Sequence, residues 1–271
     1  MKKIYCLLSV ILMATTSQAQ NDSIYFWKNN VMIHKQSIKT ADLDSITFRR
    51  PANPTGINIP GPNVTDIDGN TYESVTNCGL TFTKQNLNVS KYNDGTPIPQ
   101  VTDPTQWANL TTGAWCYYEN NTANGAVYGK LYNWYAVVGI YDAASAANPA
   151  LRKKLAPTGW HVPTDAEWTL LTDCLGGYPI AGAKMKVPGT TLWSFPNFGA
   201  SNESGFTGLP GGWRQNLNGF YSSLNFYGHF WSSTVYDLTS AWRRSLNYNN
   251  PDADWGNYNK NCGFSVRCLR D

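Results

Sequence analysis

The chain has 271 residues, enough for one large domain or two small ones, with charged and aromatic residues each at 14%. A composition this aromatic, with 11 Trp and 16 Tyr, excludes a disordered chain and suggests a rigid, loop-rich domain. The formal charge of +3 falls to +1 when Lys2 and Lys3 are assigned to a cleaved leader, which removes any electrostatic basis for nucleic-acid binding.

Residues 1–19 read as a secretory signal: Lys2 and Lys3 form the positive end, Ile4 to Ala14 the apolar core, and Ser17-Gln18-Ala19 the cleavage site. The apolar run is too short to span a bilayer. The mature protein is therefore expected outside the cytoplasm: secreted, periplasmic or at the cell surface. Residues 20–50 form a small β-rich module, with a hairpin from Ile24–Phe26 to Val31–Ile33, a turn at Thr40–Leu43 and a third strand at Ser45–Phe48. This segment resembles an N-terminal module of secreted proteins from Bacteroidetes-type bacteria. Asp22-Ser23-Ile24 and Asp44-Ser45-Ile46 resemble the O-glycosylation motif of those bacteria, although turn and strand chemistry is the favoured account of them.

Pro51, Pro54, Pro60 and Pro62 mark residues 51–62 as a linker, and 63–271 as the main domain. Val64–Tyr72 reads as a hairpin turning at Asp68-Gly69. Asp66, Asp68 and Asn70 mimic the start of a calcium loop, but Asn77 stands at the twelfth position, where an acidic ligand is required. Leu80–Phe82 and Leu87–Val89 are expected to pair as strands, and Leu131, Trp134 and Val138 recur at helical spacing. Ala143–Ala150 suggests a loop or one helical turn.

The clearest local signal lies at residues 159–177. Thr164 and Glu167 form a capping box, Trp168, Leu171 and Leu175 make one apolar stripe, and Gly176-Gly177 ends the run. Beyond it, short strands are expected at Phe230–Thr234, Ala241–Leu246 and Gly263–Cys268. Trp160, Trp168, Trp231 and Trp242 are expected in the core. Few helices among many short strands indicate an α+β class.

Five cysteines remain after Cys6 leaves with the leader, so at least one is unpaired within the monomer. Cys116, Cys174, Cys262 and Cys268 are the disulfide candidates, with a bridge through Cys268 favoured. His34, His161 and His229 have no metal-motif spacing, and neither a Gly-x-Ser-x-Gly elbow nor a P-loop occurs. No catalytic residue, metal ligand or cofactor is assigned.

Asp94–Pro99, Leu131–Val137, Pro157–Trp168, Leu209–Gly212, Trp231–Thr234 and Gly263–Asp271 together resemble the Fibrobacter succinogenes major paralogous domain over residues 63 to 271. That family is similar to the formylglycine-generating-enzyme and C-type-lectin-like superfamily, which implies a C-type-lectin-like α+β fold with about two helices and long loops. A cysteine often precedes the Pro-x-Gly-Trp block in the family, whereas Leu155-Ala156 stands there in this chain. The resemblance thus leaves Cys268 without its usual partner, or with Cys174 or Cys116 in its place. The oxidase branch of the superfamily needs a reactive cysteine pair, which the stretch from Gly211 to Trp242 lacks.

The resemblance therefore points to a non-catalytic binding module for a glycan or a surface partner, with a structural or adhesive component as the alternative. In lectin-like folds the loops before the last strands carry the ligand surface. Here those are Trp213–Tyr221 and Asn247–Asn261, which makes Trp213, Arg214, Tyr248, Asn249, Asp252, Asp254, Trp255, Asn257 and Tyr258 the candidate ligand residues.

Overall fold

The computed structural model describes residues 56–271 in full and, before them, the backbone of residues 23–28 and 31–37. The chain divides into two compact units, Met1–Pro51 and Ala52–Asp271. In the first, β1 (Ser23–Lys28) and β2 (Val31–Ser37) form the expected antiparallel hairpin. The leader, the turn, the third strand and the second glycosylation-like motif lie outside the described residues; of the first motif, Ser23 and Ile24 open β1 and Asp22 lies outside.

The second unit begins with β3 (Ile59–Pro60), the small hairpin β4 (Val64–Thr65) and β5 (Thr71–Tyr72), and the hairpin β6 (Ser74–Asn77) and β7 (Leu80–Thr83). Then come α1 (Pro104–Ala108), β8 (Trp115–Cys116), α2 (Thr122–Tyr128), β9 (Leu131–Tyr132), α3 (Trp134–Val137), α4 (Ala143–Ala147) and β10 (Trp160–His161). Two helices follow, α5 (Asp165–Cys174) and α6 (Tyr178–Met185). The chain ends in β11 (Gly211–Arg214), β12 (Tyr221–Leu224), β13 (Tyr227–Val235), β14 (Ser240–Asn247), β15 (Ala253–Asn259) and β16 (Leu269–Arg270). This mixture of helices and largely antiparallel sheets is α+β.

Two five-stranded sheets organise this unit, in the orders β10-β16-β7-β6-β3 and β12-β11-β13-β14-β15. Helix α5 starts on the capping box: Glu167 N–H donates to Thr164 Oγ1 (3.3 Å) while Thr164 N–H donates to the Glu167 carboxylate (2.8 Å). Trp168, Leu171 and Leu175 are buried. They join Phe82, Phe206, Phe230 and Leu246 in one apolar cluster, in which Trp168 and Phe82 rings lie 5.2 Å apart. A second cluster holds Trp160, Trp231, Tyr132 and Phe264. The β13–β14–β15 strands contribute to both, because successive side chains alternate between the faces of a sheet.

Several expectations are corrected. Leu131 and Tyr132 are strand rather than helix: Tyr132 N–H donates to Phe264 O (2.9 Å) and Phe264 N–H returns to Tyr132 O (3.0 Å), and this long-range pairing overrides the local period. Only Trp134–Val137 turns helical, capped by Asn133. The partner of β7 is β6, across a tight turn at Cys78 and Gly79, both at positive φ; Leu87 N–H donates instead to Val266 O (2.8 Å). Ile59–Pro60, in the expected linker, is the edge strand of its sheet, the position proline tolerates. Helix α6 was not expected; Gly177 at φ 93° and Pro179 in the first turn start it. Trp242 is only half-buried, edge-on to Tyr236 at 4.9 Å.

Cys78, absent from the candidate set, bonds Cys174 across 96 residues, with Cα atoms 6.2 Å apart. It ties the β6–β7 turn to the end of α5. Cys116, Cys262 and the favoured Cys268 are free and buried. The calcium-like turn is held by protein donors: Asp66 accepts from the N–H groups of Asp68 (2.9 Å) and Asn70 (3.0 Å), the Asn70 amide (2.9 Å) and the Tyr72 hydroxyl (2.6 Å).

Candidate functional site

The expected ligand loops turn out to be largely strands, and this sorts the candidate residues. Trp213 lies on β11, while Asp254, Trp255, Asn257 and Tyr258 lie on the edge strand β15. Period-two alternation points Asp254 and Tyr258 to one face of the sheet, and Trp255 and Asn257 to the other. On the first face a pocket of about 340 Å³ opens, within the range of small-ligand clefts. Trp213, Asp252, Asp254 and Tyr258 line it, joined by Tyr227 and His229 from β13 and by Arg243, Ser245 and Asn247 from β14.

The remaining candidates lie elsewhere. Arg214 is fully buried and spends its guanidinium on backbone carbonyls, those of Gly219 (2.8 Å), Val101 (2.5 Å) and Thr102 (2.8 Å), above the Trp107 ring. Its role is structural. Tyr248 packs edge-on to Phe226 at 5.0 Å, Asn249 is exposed in the turn before β15, and Trp255 meets Tyr178 edge-on at 4.9 Å.

The pocket lies where the apolar cluster around Phe264 gives way to polar side chains. His229 stacks on Phe264 (4.9 Å) and on Tyr227 (5.4 Å, interplanar 3°), and Trp213 packs edge-on to Tyr258 at 5.6 Å. Burial, with the Arg243 guanidinium as neighbour, holds His229 well below the usual histidine range, so its ring is neutral at neutral pH. Arg243 faces Gly256 across the β14–β15 ladder, which leaves space above its guanidinium. Its Nη1 donates to the Asp254 carboxylate at 2.8 Å, and the group lies 5.0 Å from the centre of the Tyr258 ring.

The loop between β14 and β15 is braced from behind. The buried Lys186 ammonium donates to the carbonyls of Phe198 (3.0 Å), Asn247 (2.7 Å) and Asn250 (2.8 Å). Burial lowers its pKa to about 8. Helix α6 presses so close that a Cβ on Gly182 would stand 1.9 Å from Asp252 O, so only glycine fits there. Asp252 is thereby held at the pocket, where its carboxylate also accepts from the Tyr178 hydroxyl at 3.2 Å.

Among the described residues, five buried side-chain polar atoms lack a partner, and two of them, His229 Nδ1 and Arg243 Nε, belong to residues of this pocket. A larger cleft of about 590 Å³, bordered by Asn109, Asn216, Asn261 and Leu238, has neither a charged side chain nor such an orphan. Sequence reasoning missed Tyr227, His229, Arg243, Ser245 and Asn247. The signal was their spacing by two on adjacent strands, which becomes informative once the two strands are paired in register.

The Fibrobacter succinogenes major domain matches residues 75–270, and the chain belongs to that family. No curated protein and no solved structure matches it.

Proposed function

We propose that this chain is a non-catalytic binding module of a secreted or cell-surface protein, built on a C-type-lectin-like fold, whose sheet-face pocket takes a glycan. The observation carrying this reading is the convergence of Trp213, Asp252, Asp254 and Tyr258 with Tyr227 and Arg243 on one pocket. Aromatic rings supply flat apolar faces for sugar C–H groups, and the carboxylates and amides match hydroxyls. The Cys78–Cys174 bridge suits an oxidising compartment, and among the described residues no helix is long and apolar enough to cross a membrane. Burial pushes the Cys116 and Cys262 thiols up to about 11 and about 12, which favours binding over thiol catalysis.

A glycan array probed with the mature chain tests the proposal. Binding is expected, and Tyr227→Ala, at a half-buried position, should weaken it at least about tenfold with thermal unfolding little changed. Silence on a broad array, or binding indifferent to Tyr227→Ala and Trp213→Ala alike, refutes it. The exposure of Phe195 (81%) and Phe198 (54%) favours a second reading, an adhesive surface component, which array silence combined with self-association in sedimentation would support.

A further inference from the structure

Resting on the reading of this pocket as a glycan site, we propose that it selects uncharged, hydroxyl-rich sugar rings over acidic ones, and that the Arg243 guanidinium, in place of a bound cation, organises their hydroxyls.

The first argument is the inventory of donors and acceptors. Arg243 lines the pocket, its Nη1 is occupied by Asp254, and its Nη2 lies under the open space left by Gly256. One oxygen of Asp254 is engaged by Arg243 and one of Asp252 by Tyr178, leaving each carboxylate a second oxygen that can accept. A guanidinium donor beside two carboxylate acceptors suits groups that donate and accept at once, as neighbouring sugar hydroxyls do.

The second argument is charge. The ionised groups facing the pocket are Arg243, Asp252 and Asp254, two carboxylates against one guanidinium that is already paired at 2.8 Å. The Lys186 ammonium behind the loop is turned onto three backbone carbonyls. A uronate, sialate or sulfate brought into this setting meets an excess of negative charge without a free cation to offset it. The same guanidinium opposes a metal ion at Asp254. Among the described residues no three His, Cys, Asp or Glu side chains gather where they could hold one.

The experiment is calorimetric titration of the mature full-length chain with neutral gluco-, manno- and xylo-oligosaccharides and with oligogalacturonate and sialyllactose, each in calcium and in EDTA. At least one neutral sugar is expected to bind, the acidic ones at least about tenfold more weakly, and EDTA to change nothing. Asp254→Asn should narrow the gap between acidic and neutral sugars; the Asp254 side chain is 46% exposed, so this variant keeps its fold, which a thermal melt verifies. Acidic sugars bound as tightly as neutral ones, or binding abolished by EDTA, overturns the inference and leaves the glycan reading standing. Absence of binding to both sets overturns the two together.

Discussion

Arg243 and Arg244 are consecutive on β14, both nearly buried, and they face opposite sides of the same sheet. Arg244 engages α5 through both Nη groups: its Nη1 meets the Asp165 carboxylate at 2.5 Å, and its Nη2 donates to Asp165 O (3.2 Å) and Thr169 Oγ1 (2.6 Å). Arg243 has one carboxylate partner, half exposed, and an unpartnered Nε. A structural arginine is one whose donors the fold consumes, whereas a binding arginine keeps donors in reserve. The sheet therefore has a fastened face toward α5 and α6 and an open face at the pocket.

The largest expected effect breaks the fastened face. Arg244→Ala leaves Asp165 at a helix start without its partner and should lower stability by about 3–5 kcal/mol in denaturant unfolding, the scale for disrupting a buried ion pair. Arg243→Ala should lower it by about 1 kcal/mol or less, since Asp254 is solvated, and show its effect in ligand affinity instead. Equal losses from both would erase the distinction between the faces.

Next in size is Lys186→Met, which removes the brace behind the pocket. Three backbone carbonyls lose their donor, for a loss of about 1–3 kcal/mol at neutral pH and a weaker pocket. Burial lowers the folded-state pKa of Lys186 to about 8 from 10.5, so between these values the unfolded chain holds more protons and the wild type gains stability as pH rises. The methionine variant lacks this gain. The stability difference between the two should widen from pH 8 to 10.5, and unfolding measured across that window checks it.

The contrast between the faces also explains what could be read in advance. The α5 capping box and the Trp168–Leu171–Leu175 stripe were legible because both depend on residues within a few positions of one another. Four of the nine candidate ligand residues reach the pocket, found through the family resemblance of their region. Trp255 and Asn257 lie away from this pocket for one reason: a stretch taken as a loop is an edge strand, and a strand shows alternate residues to opposite faces. Arg243 could not be told from Arg244, because which of two adjacent arginines faces α5 is fixed by the register of β14 against β13 and β15. The Cys78–Cys174 bridge was equally hidden, since it depends on how a hairpin turn meets a helix end 96 residues away.

The smallest effect tests whether the fastened face is supported as far as the start of α5. Thr164→Ala deletes the hydroxyl that accepts from Glu167 N–H and donates to the Glu167 carboxylate, one residue before Asp165 takes hold of Arg244. The expected loss is about 0.5–2 kcal/mol in stability, with sugar affinity unchanged, because none of these groups reaches the pocket. Burial tends to raise the Glu167 carboxyl, but hydrogen bonds from Thr164 and the neighbouring His161 outweigh it and hold the pKa below the ordinary 4.5. A depressed carboxylate stabilises the fold above its unfolded pKa, and that contribution is lost as pH falls through the folded value. The gap between wild type and Thr164→Ala should therefore be full at neutral pH and shrink once Glu167 is protonated. A gap that persisted unchanged in acid would mean that Thr164 acts through its own hydroxyl alone, and that the carboxylate half of the capping box adds little to the helix supporting Arg244.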